Sequence, residues 1–228
     1  MSKQQRKSQK LAALPVKPLG GMVLASTWLI HEVLISPTWN EEGHLALILV
    51  ARRSPTSGKI AAGSFLVDLA CLGVKSAQCK FYKTATEYTT EIRRHTLRTQ
   101  PLVPASFDLA AKIIMIGLDY AESLGFKPDP VFTQAQYLLG GANPQTETTL
   151  VPTGGPEGKP LFVNGPYDNV DKIMAQLRKS VGDGNFHFMI RTSEDGPVIT
   201  DEGLRQLSDS SQIIDRADTD ASTSEDRG

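Results

Sequence analysis

Residues 45–52 read LALILVAR, apolar up to the final arginine. A strand of this kind has no polar face to give to water, so it must be covered on both sides. That requirement constrains the fold more than any other feature of the chain. Three neighbouring runs also have strand composition: residues 22–35 (MVLASTWLIHEVLI), residues 60–74 with a bend expected at Gly63, and a short run at 79–84. Turn residues separate them, Ser36-Pro37 and Asn40-Glu41-Glu42-Gly43 first, then Ser54-Pro55-Thr56-Ser57-Gly58. Such connections are too short for parallel crossovers, so an antiparallel meander of three to four strands is expected.

Helices follow. Residues 86–99 form a highly charged one, closed by Pro101 and Pro104. The best helical pattern starts at Ser106 or Asp108, with Leu109, Ile113, Ile116, Tyr120 and Leu124 on one face. Ser106 suits its N-cap, and Gly125 suits a left-handed C-cap with Phe126 closing back on the last turn. Gly117, inside the helix, costs roughly 1 kcal/mol against alanine and marks close approach by another backbone. A shorter helix is expected over 132–139, a loop over 143–158 and a short strand over 159–163. Asp168 is the expected N-cap of a helix carrying Val170, Ile173, Met174, Leu177 and Val181, stopped by Gly182-Asp183-Gly184. A last strand covers 185–191. Strands first and helices afterwards argue for α+β: a meander packed against helices, with a C-terminal β-α-β segment.

The chain has 228 residues, 40% of them hydrophobic, which fits one domain with appended segments. The boundaries expected are a flexible basic segment over 1–20, a single domain over 21–192 and a disordered acidic tail over 205–228. Lys plus Arg is 24 and Asp plus Glu 25, so the strong basic excess of a dedicated nucleic-acid binder is absent. No leader pattern and no apolar run of roughly 18 residues is visible, so a cytoplasmic protein without a membrane partner is expected. Cys71 and Cys79 lack metal-site spacing and read as reduced thiols, Cys71 as a small core hydrophobe rather than a nucleophile.

The most informative polar position is Asp68, in FLVDLACLGVK at 65–75. An unpaired carboxylate in that apolar row would cost several kcal/mol or stay protonated. It requires a cation, backbone amides or a metal. The bland reading is a structural aspartate at a bulge or sheet end. The sharper one is a metal-dependent hydrolase or nuclease using Asp68 with Glu32, Asp108 or Asp119, which would need converging carboxylates and a divalent metal. No cofactor is expected otherwise. His31 and Glu32 are adjacent, and without a bulge they face opposite ways. Arg52, Arg53, Lys59, Arg93, Arg94 and Arg98, with Lys75, are candidates for a basic binding surface. Such a surface would take RNA or an acidic partner; aromatics are sparse beside it, which gives base stacking little support, and a solvated charged helix face is the more frequent reason for such a cluster.

Three segments in order, FLVDLACLGVK, YAESLGFKPDP (120–130) and GKPLFVNGPYD (158–168), resemble a family of uncharacterised bacterial proteins. That family carries an FLVDxxCLGVKD-like strand, a YAxxLGFxP helix end and a GPxD turn. This chain departs from the pattern at Ser76, where the family has an acid. The resemblance implies one domain of bacterial type and brings no activity. The function expected is therefore that of an accessory protein acting by protein interaction, without catalysis.

Overall fold

The computed structural model describes residues 20–41, 45–191 and 198–200. The expected basic segment (save Gly20), the acidic tail and part of the turn at 40–43 lie outside the described residues. The element order begins α1 (Gly20–Ala25), β1 (Leu29–Ile35), β2 (Leu45–Arg53), β3 (Ile60–Asp68) and β4 (Gly73–Tyr82). A helical stretch follows, built from α2 (Ala85–Tyr88), a π turn (Thr89–Arg93) and α3 (Arg94–Thr99). Then come β5 (Val103–Pro104), α4 (Phe107–Ser123) and α5 (Phe132–Ala135), which runs on as a 3-10 turn over Gln136–Leu139. The chain closes with β6 (Leu161–Val163), α6 (Val170–Val181), β7 (His187–Arg191) and β8 (Val198–Thr200).

The first four strands form the antiparallel meander, with β5 added at its edge, in the order β4-β3-β2-β1-β5. The fold is α+β, as the pattern of strands and helices implies. β2 is sealed on both faces. Ile48 and Val50 pack with Phe65 and Val67 of β3 against Ile113 and Ile114 of α4 and Leu138. Leu49 and Ala51 pack on the other face with Ile60, Tyr82 and Tyr88, under the α2–α3 stretch. A second core joins α6 to a smaller sheet of order β6-β7-β8, in which β6 and β7 are parallel and α6 is the crossover.

Two expectations are corrected. Residues 22–35 are not one strand, because the first part is α1. Met22 and Ala25, three apart, are buried while Val23 and Leu24 are exposed, a helical rather than an alternating pattern. The hydroxyls of Ser26 and Thr27 bond back to the Val23 and Leu24 carbonyls and close the turn. Nor are residues 60–74 one strand. The chain reverses between Asp68 and Gly73, and Gly73, with φ +65°, supplies the left-handed residue the reversal needs.

Helix α4 matches its sequence signals. Ser106 Oγ accepts from the Leu109 amide at 3.0 Å. At the other end the Gly125 amide donates to Glu122 O and the Phe126 amide to Ala121 O, with Gly125 at φ +81°. Gly117 is indeed a contact point. A Cβ there would lie 2.6 Å from Val67 Cγ1, and one on Gly73 would lie 2.7 Å from the Gly117 carbonyl oxygen. The helix and the β3–β4 turn therefore meet main chain to main chain.

Candidate functional site

The turn between β3 and β4 is made by Asp68 itself. Its Oδ1 accepts from the Ala70 amide at 2.9 Å and the Cys71 amide at 3.0 Å, and its side chain is almost wholly buried. Burial raises the carboxyl above its ordinary value, against the pull of Lys75 and of the turn's amides. Asp68 is thus a sheet-end residue held by backbone, the bland reading of that position. Cys71 is fully buried beside it, and burial pushes its thiol well up, so it is no thiolate.

The turn projects Lys75 across to the second core. The β3–β4 register shifts between Leu66 and Val67, leaving Lys75 without a residue opposite it. Its Nζ meets Asp168 Oδ2 at 2.7 Å, with both side chains mostly buried. The same carboxylate oxygen accepts from the Gly165 amide at 2.7 Å, which fixes the GPYD turn. Asp168 is therefore not the N-cap of α6. Asn169 takes that role, accepting from the Lys172 amide at 3.0 Å, because Asp168 is drawn away to Lys75. Gln176 of α6 donates to the Leu124 carbonyl at 2.8 Å and ties the helix to the end of α4.

Between these anchors lies a groove of about 810 Å³. Its lining comes from all three segments that carry the resemblance: Leu72, Val74 and Lys75 from the first, Gly125 to Pro130 from the second, Asp168 from the third. Helix α6 closes it with Lys172, Ile173, Gln176 and Lys179. Phe126, Pro128, Pro130 and Ile173 make it apolar in the middle. The charge is uneven. Lys75 and Asp168 neutralise each other, and Asp129 Oδ1 accepts from the Val131 amide at 2.7 Å. Lys127, Lys172 and Lys179 are exposed, and no carboxylate among the described residues pairs with them. Tyr167, next to Asp168, is 98% exposed. Sequence reasoning missed this trio of lysines, although Lys172 and Lys179 are seven apart in one helix and so share a face.

The remaining candidates fall elsewhere. Glu32 accepts from the Tyr88 hydroxyl at 2.6 Å and from Arg93 Nε at 2.9 Å. Burial and this carboxylate together push the Tyr88 phenol up. A register shift between Ile30 and Glu32 brings His31 to the same tyrosine, with ring centroids 5.6 Å apart. Asp108 accepts from the Asn143 amide at 2.7 Å and holds the loop after the 3-10 turn. Asp119 faces a second hollow of about 390 Å³ with Glu122 and Lys127. Glu32 lies opposite Ala51 and Asp68 opposite Leu45, six residues apart on β2 and so about 20 Å apart along the strand. Glu32 and Asp68 therefore do not share a point, and Asp108 is taken up by the Asn143 amide. Among the described residues no group of three or more His, Cys, Asp or Glu could hold a metal ion.

The basic candidates divide among separate places. Arg52 is buried and points into the molecule. Nε donates to Leu138 O and Nη1 to Trp28 O, both at 2.7 Å, and Nη2 donates to Gly140 O, while the guanidinium sits 4.9 Å from the Phe107 ring centre. Arg93 is committed to Glu32, and Arg53, Arg94 and Arg98 are exposed. Lys75 belongs to the groove at the other end of the sheet.

Comparison with protein-family models, with curated proteins and with solved structures finds no match for this chain. Among the described residues, no helix is long and apolar enough to cross a membrane.

Proposed function

We propose that this chain is a non-catalytic bacterial accessory protein of the cytoplasm that holds an acidic segment of a partner protein in the groove between the β3–β4 turn and α6. Membership of the uncharacterised family that its three segments resemble is part of this proposal. The observation that carries it is the convergence of those segments on one groove with an apolar floor and, at its rim, three lysines that no described carboxylate pairs with. An extended acidic peptide suits such a surface: its side chains meet the lysines, and its apolar residues meet Phe126, Pro128 and Ile173. Tyr167 supports the same reading, since a fully exposed tyrosine beside a groove is a ready anchor for a partner.

The test is affinity capture with two baits besides the wild type. One carries Lys127→Glu, Lys172→Glu and Lys179→Glu, and the other Arg53→Glu, Arg94→Glu and Arg98→Glu. The proposal expects a defined partner to be captured by the wild type and by the arginine variant, and lost from the lysine variant. Capture of the same proteins by all three would sink it.

A further inference from the structure

Residues 206–226, which lie outside the described residues, read QLSDSSQIIDRADTDASTSED. Six carboxylates, Asp209, Asp215, Asp218, Asp220, Glu225 and Asp226, stand against one arginine, Arg216. Within them sits a pair of bulky apolar residues, Ile213 and Ile214. The groove has the complementary order: lysines at the rim and an apolar middle. The tether also fits. Thr200 pairs with Met189, and Met189 with Val163, so Thr200 lies two strand spacings, about 10 Å, from the strand that leads into the GPYD turn. From Thr200 to Ile213 the chain can span roughly 45 Å, ample to reach the far side of α6.

We infer that the acidic segment 206–226 of the same chain docks in the lysine-rimmed groove, with Ile213 and Ile214 on Phe126, Pro128 and Ile173, and competes there with the partner's acidic segment. This rests on the reading of the groove as a site for acidic peptides. A tethered segment acts at an effective concentration of about a millimolar, so a partner must displace it. The contact is electrostatic at its rim, so salt weakens it and frees the groove.

The experiment uses the full chain and a fluorescein-labelled peptide of residues 211–222, followed by anisotropy at low salt. In one variant the six carboxylates are neutralised by Asp209→Asn, Asp215→Asn, Asp218→Asn, Asp220→Asn, Glu225→Gln and Asp226→Asn. This variant should bind the peptide about tenfold or more tighter than the wild type, because its groove is vacant. Adding Lys127→Glu, Lys172→Glu and Lys179→Glu should abolish binding. Equal affinity in wild type and neutralised variant overturns the docking and leaves the groove reading standing. No binding to either overturns both. A second measurement pairs Lys172→Cys with Ile213→Cys and compares oxidation with a control pair, Arg94→Cys with Ile213→Cys. Docking expects a disulfide within one chain, formed about tenfold faster at position 172. Equal rates, as from a segment held by the basic residues 3–17 or by nothing, overturn it. A bond between two chains that vanishes on dilution overturns it in favour of a second copy's segment.

Discussion

The five-stranded sheet buries an ionisable group at each end, and the two ends treat it differently. Arg52, opposite Ala61 near one end, directs three donors at the carbonyls of Trp28, Leu138 and Gly140. All three of its nitrogens are engaged, and burial lowers its pKa from the ordinary arginine value. Asp68, at the other end, uses one oxygen to build its own turn, and its neighbour Lys75 bonds to Asp168. Around that second end three lysines remain unmatched by any described carboxylate. Charge held by main chain serves the scaffold, whereas on the proposed reading the charge left over at the groove meets the partner.

Breaking the first end should have the largest effect. Arg52→Met leaves one buried and two half-buried carbonyls without donors and should cost about 4 kcal/mol. Urea unfolding should show a lower midpoint at unchanged slope, and a loss under about 1 kcal/mol would erase the contrast between the two ends. Gly73→Ala comes next, because it puts a Cβ at φ +65° and 2.7 Å from the Gly117 carbonyl. About 2–3 kcal/mol is expected by the same measurement.

Asp68→Ala removes the acceptor for two turn amides and should cost about 1–3 kcal/mol, while Asp68→Asn keeps the acceptor. This pair also has a pH signature. Burial raises the Asp68 carboxyl, so the folded chain holds that proton more tightly than the unfolded chain does. Its stabilising contribution is complete below the unfolded carboxyl range and is lost as pH rises through the folded value. Asp68→Asn should therefore gain stability relative to wild type as pH rises above the ordinary carboxyl range, until the folded carboxyl has ionised. A constant difference across that window would place the carboxyl outside the sealed end.

Smaller still is the Lys75–Asp168 pair. A double-mutant cycle with Lys75→Met and Asp168→Asn should return a coupling of about 1 kcal/mol. Smallest of all, Lys127→Glu with Lys172→Glu should leave the unfolding midpoint where it is while peptide binding is lost. That dissociation of stability from binding would sharpen the comparison most.

What the sequence made legible was local. The Ser106 cap, the Gly125 reversal and the Gly117 contact each follow from residues within a turn of one another or from a glycine that has no other use. The meander followed from short connections, and the α+β class from strands that precede helices. Asp68 was recognised as a residue needing a partner, but its partners are the amides two and three residues on, so alternation carried past it misplaced the strand end. The site was hidden for the opposite reason. Lys75 and Asp168 are 93 residues apart, and Arg52 reaches carbonyls 86 and 88 residues away. No spacing rule joins such positions. Asp168 and Asn169 are both good caps, and only the distant lysine decides between them.

The glycine contact between α4 and the β3–β4 turn has a consequence for recognition. Side chains packed between two elements act as springs, letting them lean apart and settle again. Here Gly73 meets Gly117 with nothing interposed, so the β3–β4 turn, one jaw of the groove, has no compliance against α4. On the proposed reading, the partner's segment meets that jaw already set, and little of the turn's freedom is lost on its arrival. Association should then be governed by collision and charge steering rather than by opening.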